Sequence, residues 1–217
     1  MLRGPLMQDR RPVSSRSSSI IQAVAKKLSQ TAITPNQISG FSVVASLLVP
    51  LGILGLAGVG LSSAGLLLAI LGIQLRLLAN VLDGLVAVEG GKGSALGALY
   101  NEFPDRLADS IILVSLGVAA GFDWLGWLAA LLAALTAYIR VFGGALGQPQ
   151  AFLGPMAKQH RMAVATAALL SQLLLSAWIS SAVIGSVALG LICVGSAWTC
   201  VRRTLQIAHQ LEKSENN

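Results

Sequence analysis

NVLDGLVAVEGGKGSALGALYNEFPDR, residues 80–106, is the stretch on which the fold turns. It begins inside one long apolar segment and ends at the start of the next. Yet it holds Asp83, Glu89, Glu102 and Asp105, four of only nine acids in a chain of 217 residues. An ionised side chain at membrane depth costs about 3 kcal/mol or more unless it is paired, hydrated or bound to a cation, so acids here point to a functional site.

Composition sets the frame for that reading. The chain is 54% hydrophobic and 11% charged with a mean hydropathy of +0.73, too little polar surface for a soluble domain of this length. Its apolar runs suit helices of about 20 residues per crossing and not the alternating strands of an outer-membrane barrel. The expected class is an all-α polytopic membrane protein. A net charge of +6 raises nucleic acid as a partner, but the basic residues are scattered among tails and short loops with no aromatics for bases to stack on, which excludes it. Cys193 and Cys200, at i, i+7 on one apolar segment, are too far apart to bridge each other.

Residues 1–18 carry Arg3, Arg10, Arg11 and Arg16 among serines and prolines and read as a mobile basic tail, with no apolar run of a secretory signal behind them. Over residues 19–33, Ile20, Ile21, Val24 and Leu28 fall on one helical face and Gln22, Lys26, Lys27 and Gln30 on the other, the pattern of an interfacial amphipathic helix. Thr34-Pro35-Asn36 then starts a transmembrane domain over residues 34–203. Six crossings are expected, near residues 38–56, 64–86, 99–120, 124–142, 162–179 and 182–201, followed by a tail over residues 204–217.

Loop charges orient the bundle. The amino-terminal cations, Lys92, Lys158, Arg161, Arg202, Arg203 and Lys213 fall on one side, and the short loops of the other side hold only Asp123. By the positive-inside rule both termini and the acidic stretch face the cytoplasm, and a bacterial inner membrane is the expected location.

Asn80 and Asp83 sit at i, i+3 on the second crossing, and Asn101, Asp105 and Asp109 at i, i+4, i+8 on the third, so each set lines one helical face. Gly90, Gly91 and Gly93 between them make a tight turn that returns the chain antiparallel and brings the two faces together. Such a density of hard oxygen ligands suits Mg²⁺, Mn²⁺ or Ca²⁺. The bland alternatives are that Asn80 and Asn101 only bond between helices, and that Asp109 only pairs with Arg106 or Arg140. Arg76, one turn before Asn80, pairs with a site carboxylate or touches phosphate.

The stretch resembles the signature of the CDP-alcohol phosphotransferases, D-x2-D-G-x2-A-R-x8-G-x3-D-x3-D. Without gaps it reads here Asn80, Asp83, Gly84, Ala87, Val88, Gly97, Asn101, Asp105, matching five of eight fixed positions. Thr34-Pro35-Asn36, the six crossings and Tyr138-Ile139-Arg140 at the end of the fourth extend the likeness. The resemblance implies a membrane enzyme that moves a phosphatidyl group from CDP-diacylglycerol to a small polar alcohol and releases CMP. It further implies a site of one or two Mg²⁺ or Mn²⁺ ions with Asp83 as ligand, Asp105 as ligand and base, and Gly84, Ala87 and Gly97 against the nucleotide. Arg140, Lys158 and Arg161 are the expected cations for an anionic acceptor, with Lys158 and Arg161 the favoured pair.

Three departures bear on that expectation. Asn80 and Asn101 replace two acids and Val88 replaces the arginine, so a two-metal site loses two units of negative charge. An amide oxygen still coordinates a hard cation, and Glu102 and Asp109 are the nearest substitutes for the missing acids. The rival reading is a non-catalytic family member or small transporter that binds a cation or lipid headgroup at the same cluster. Small-residue helices, with 23 glycines in all, allow close packing and a homodimer.

Overall fold

The structure is a computed structural model describing residues 18–55, 61–150 and 152–215. Among these the regular elements are all helices: α1 Ser19–Ser29, α2 Pro35–Ser46, α3 Leu48–Ile53, α4 Ser63–Glu89, α5 Gly97–Ala120, α6 Asp123–Ala145, α7 Lys158–Leu175 and α8 Ser181–Glu215. The basic tail expected at residues 1–18 lies outside the described residues save for its last residue, Ser18.

Local chemistry sets the helix ends. Thr34 Oγ1 accepts from the Gln37 amide at 3.3 Å while Gln37 Oε1 accepts from the Thr34 amide at 2.9 Å, a capping box ahead of Pro35 in the first turn of α2. Pro50 has no N–H to give the Ser46 carbonyl and crowds it, and α2 and α3 part there, at Leu47. Gly91, with φ +58°, carries the α4–α5 turn in a left-handed conformation that side chains resist. The amphipathic helix is shorter than its pattern, since α1 stops at Ser29. Beyond it the Thr31 and Ile33 carbonyls accept from Lys92 Nζ at 2.5 and 3.1 Å, so Lys92 ties the α4–α5 turn to the amino-terminal linker.

α4 packs on α2 and α3, α5 on α2, α6 and α8, and α7 on α4 and α8, while α1 lies along α4. Ile73, Ile112, Leu113, Met162, Leu189 and Ile192 are fully buried at the centre, and the outer faces are apolar, with Leu67, Leu71, Trp127, Leu131, Val194 and Trp198 exposed. The segments Pro35–Ile53, Ser63–Glu89, Asp123–Ala145 and Ser181–Ser214 are long and apolar enough to cross a membrane, which makes this an integral membrane protein by length and composition. α5 and α7 fall outside that set and carry Glu102, Asp105, Arg106, Asp109, Lys158 and Arg161 of the next section.

Lipid tails are as apolar as leucine, so such helices hold together by close approach rather than by exclusion of water. α5 and α6 meet at paired glycines: a Cβ on Gly126 would lie 2.9 Å from the Leu113 carbonyl oxygen and 3.0 Å from Gly117 Cα. Overpacking there is expected to cost about 1–3 kcal/mol. Gly126→Val should therefore lower the thermal midpoint of the detergent-solubilised protein by several degrees, whereas Gly190→Ala, where nothing lies within 4 Å of the added Cβ, should leave it unchanged within a degree or so.

Candidate active site

The site forms at the end of the bundle that carries the α4–α5 turn. Its deepest member is Asp109 on α5, whose Oδ1 accepts from Arg76 of α4 at 2.5 Å and whose Oδ2 accepts from Arg161 of α7 at 2.9 Å. All three side chains are buried, Arg76 completely. Arg161 also donates to the Met156 carbonyl at 3.0 Å and to Thr136 Oγ1 on α6 at 3.3 Å. The bland alternative for Asp109 was a pair with Arg106 or Arg140; its ion-pair partners are instead Arg76 and Arg161, and the charge of Arg106 also reaches it.

One turn nearer the mouth, Asp105 is buried beside Arg76 at 3.4 Å and Arg106 at 3.7 Å, and its Oδ2 accepts from Lys158 Nζ at the start of α7. The same ammonium donates to Asn80 Oδ1 at 2.8 Å, and Asn80 Nδ2 donates to the Arg76 carbonyl at 2.9 Å. Asp83, also buried, accepts from Ser39 Oγ of α2 at 2.7 Å, and the charges of Lys158 and Asp105 reach it. Asn80, Asp83 and Asp105 are thus brought together, as the turn geometry predicts.

The rim holds the rest. Glu102 Oε2 pairs with Arg140 of α6 at 2.6 Å and its Oε1 with Arg106 at 3.4 Å. Arg140 continues to Gln150 Oε1 at 2.5 Å and stacks 5.6 Å from the Phe152 ring centre. Asn101 is exposed, Gly84, Ala87 and Gly97 are half-buried, and Val88 points outward at 51% exposure. Of the three cations assigned to an acceptor, only Arg140 lies on the rim. Lys158 and Arg161 start a helix rather than sit in a loop, so both turn inward onto Asp105 and Asp109.

Ser39 was not foreseen, nor were Thr136 and Gln150. Ser39 had a signal in Ser39, Ser42 and Ser46 at i, i+3, i+7, a small polar stripe that is buried throughout. Thr136 and Gln150 had none, since their partners come from other helices.

Hard oxygen donors are present, but among the described residues no three acidic, histidine or cysteine side chains are grouped to hold a metal. Both oxygens of Asp109 and both of Asp105 already face cations, and among the described residues Asp83 is the site carboxylate with no salt-bridge partner. That set fits a divalent ion of the kind held by one or two carboxylates and completed by substrate phosphates and water. It does not fit a protein cage of four acids.

The fold is one already seen in solved structures. Two solved structures of phosphatidylinositol phosphate synthase from Mycobacterium tuberculosis share it. One, with CDP-DAG bound, has a TM-score of 0.67 at 21% identity, over 88% of this chain and 94% of that one. The other, in complex with manganese and citrate, has a TM-score of 0.69 at 22% identity, over 86% and 88%. No protein-family model and no curated protein matches the sequence.

Removing one partner of a buried ion pair strands the other and costs about 3–5 kcal/mol, whereas a partly exposed pair is worth about 1 kcal/mol or less. Asp109→Asn, which leaves Arg76 and Arg161 facing a neutral amide, should therefore sharply lower the thermal midpoint in detergent. Glu102→Gln should shift it by no more than about a quarter as much.

Proposed function

We propose that this chain is a CDP-alcohol phosphotransferase that moves a phosphatidyl group from CDP-diacylglycerol to the hydroxyl of a small polar acceptor, in phospholipid synthesis. The observation that carries the reading is Asp105, the last acid of the signature, held on an inward face opposite Asp83 at the mouth of the bundle. The shared fold supports it, and of the two solved neighbours one holds CDP-DAG and the other manganese.

Asp105 is the base. A carboxylate accepts at about four lone-pair positions, so it has room for a substrate hydroxyl beside Lys158, Arg76 and Arg106, which fix its orientation. It takes the acceptor proton as the hydroxyl oxygen bonds to the phosphatidyl phosphorus. The bond from that phosphorus to the CMP oxygen breaks, and CMP leaves with the electron pair. A divalent ion, Mg²⁺ or Mn²⁺, bound through Asp83 would neutralise charge on the pyrophosphate. Asn80 presents its oxygen toward the same space through Lys158, Gly84, Ala87 and Gly97 let the nucleotide approach the helices, and Asn101 and Glu102 border the entrance. Arg140 on the rim is the cation open to an anionic group on the acceptor, while Lys158 and Arg161 below it are held on Asp105 and Asp109.

The membrane arrangement follows the same reading. α5 and α7 complete six crossings, α1 rests in the interface, and the site and both termini face the cytoplasm of a bacterial inner membrane. On the outer side of α5, at the level of the site acids, Leu99, Tyr100, Phe103, Pro104 and Leu107 line an apolar trough of about 280 Å³ suited to an acyl chain of a lipid-borne donor. The extensive ion pairing of Asp105 and Asp109 favours the rival, a protein that binds a cation or headgroup without chemistry.

CMP release separates the two. Purified protein in detergent with CDP-diacylglycerol, Mg²⁺ or Mn²⁺ and a panel of polyols, polyol phosphates and amino alcohols should release CMP only when its acceptor is present. Asp105→Asn should lower that rate by about 10²–10⁴-fold, the usual contribution of a general base. Folded protein that releases no CMP above the variant with any acceptor would establish the rival.

A further inference from the structure

Lys158 does more than border the site. Its ammonium donates to Asn80 Oδ1 at 2.8 Å and to Asp105 Oδ2, and so fills the space between the first and last positions of the signature. The Asn80 amide is not free to turn away, because its Nδ2 is held by the Arg76 carbonyl at 2.9 Å, which directs the oxygen at Lys158. An amide oxygen receives an ammonium as readily as a metal, and the substitution removes the negative charge that would attract a divalent ion to this spot.

Charge balance points the same way. The ion-pair network joins Arg76, Arg106, Arg140, Lys158 and Arg161 to Glu102, Asp105 and Asp109, and with Asp83 the site sets five cations against four carboxylates. A single divalent ion is offset by the doubly charged pyrophosphate of the donor. A second would enter a site that is already net positive, next to a half-buried ammonium, where repulsion is screened less than in water.

We infer that Lys158 is a resident cation that takes the place of a second divalent ion, so that this chain binds one Mg²⁺ or Mn²⁺, through Asp83, where four signature acids would have held two. The inference rests on the transferase reading for the donor's pyrophosphate, but it concerns metal count and is tested without turnover. It also gives Asn80 and Lys158 one explanation: the amide oxygen that stands where the signature has a carboxylate receives the cation supplied from α7.

The test is the stoichiometry of Mn²⁺ binding, read by electron paramagnetic resonance of free Mn²⁺ in full-length protein in detergent with saturating CDP-diacylglycerol. Wild type should bind one ion. The double variant Asn80→Asp, Lys158→Met should bind two, with the first held at least about tenfold tighter once the neighbouring positive charge is gone. Lys158→Arg, which keeps the charge, should still bind one and guards against misfolding of the double variant. Two ions in wild type would overturn the inference and leave the transferase reading intact. None in wild type, with acceptor-dependent CMP release still present, would overturn the inference and the metal requirement together. One ion in wild type and one in a folded double variant would show that Lys158 is not what limits the count.

Discussion

Asp109 between Arg76 and Arg161 is the contact on which the rest of this structure depends. It joins α4, α5 and α7 by bonds of 2.5 and 2.9 Å with no exposed partner. Apolar packing between helices is nearly neutral in lipid, so a buried ion triad specifies which helices meet and at what height in a way that leucines cannot. Arg161 extends the connection to α6 through Thr136, whose carbonyl accepts from Arg203 of α8. The polar core is thus one network from α4 to α8, and the bundle closes around it.

The site is the outer layer of that network. Asp105 shares Arg76 with Asp109, so the proposed base is positioned by the same guanidinium that fixes the helices. Lys158, Asn80 and Asp83 stand above it, and Glu102 with Arg140 closes the rim. Stability and chemistry therefore compete for the same side chains. The deeper acid is fully committed to structure, and the shallower one keeps capacity for a substrate. A site built this way has little carboxylate left for metal.

Much of this was legible in the chain. The long apolar runs, Thr34-Pro35 and the glycine turn fixed the helices to within a few residues, because helix limits are set by local chemistry. α8 ran on to Glu215 where an end near residue 201 was expected, since no Gly or Pro beyond Val201 breaks the helix. Asn80, Asp83 and Asp105 were legible as one cluster, because helical periodicity and a short turn suffice to bring them together. The partners of Asp109 and the roles of Lys158 and Arg161 were not. Lys158 and Arg161 read as cations for an anionic acceptor or as topological anchors, and only their place in the first turn of α7 turns them onto Asp105 and Asp109.

By itself the sequence determined that this is a helical membrane protein with an acidic cluster where two long helices meet, and it carried five of the eight fixed positions of the signature it resembles. Those properties depend on hydropathy, turn chemistry and spacing along one or two neighbouring helices. The tertiary structure alone decided which cation meets which acid: Arg76 and Arg161 on Asp109, Lys158 on Asp105 and Asn80, Arg140 on Glu102, Ser39 on Asp83. Each of these pairs joins two different helices, and those of Lys158 and Arg161 reach α4 and α5 from α7. The rotation and height of a helix are set by how all its neighbours pack, and no local pattern records them.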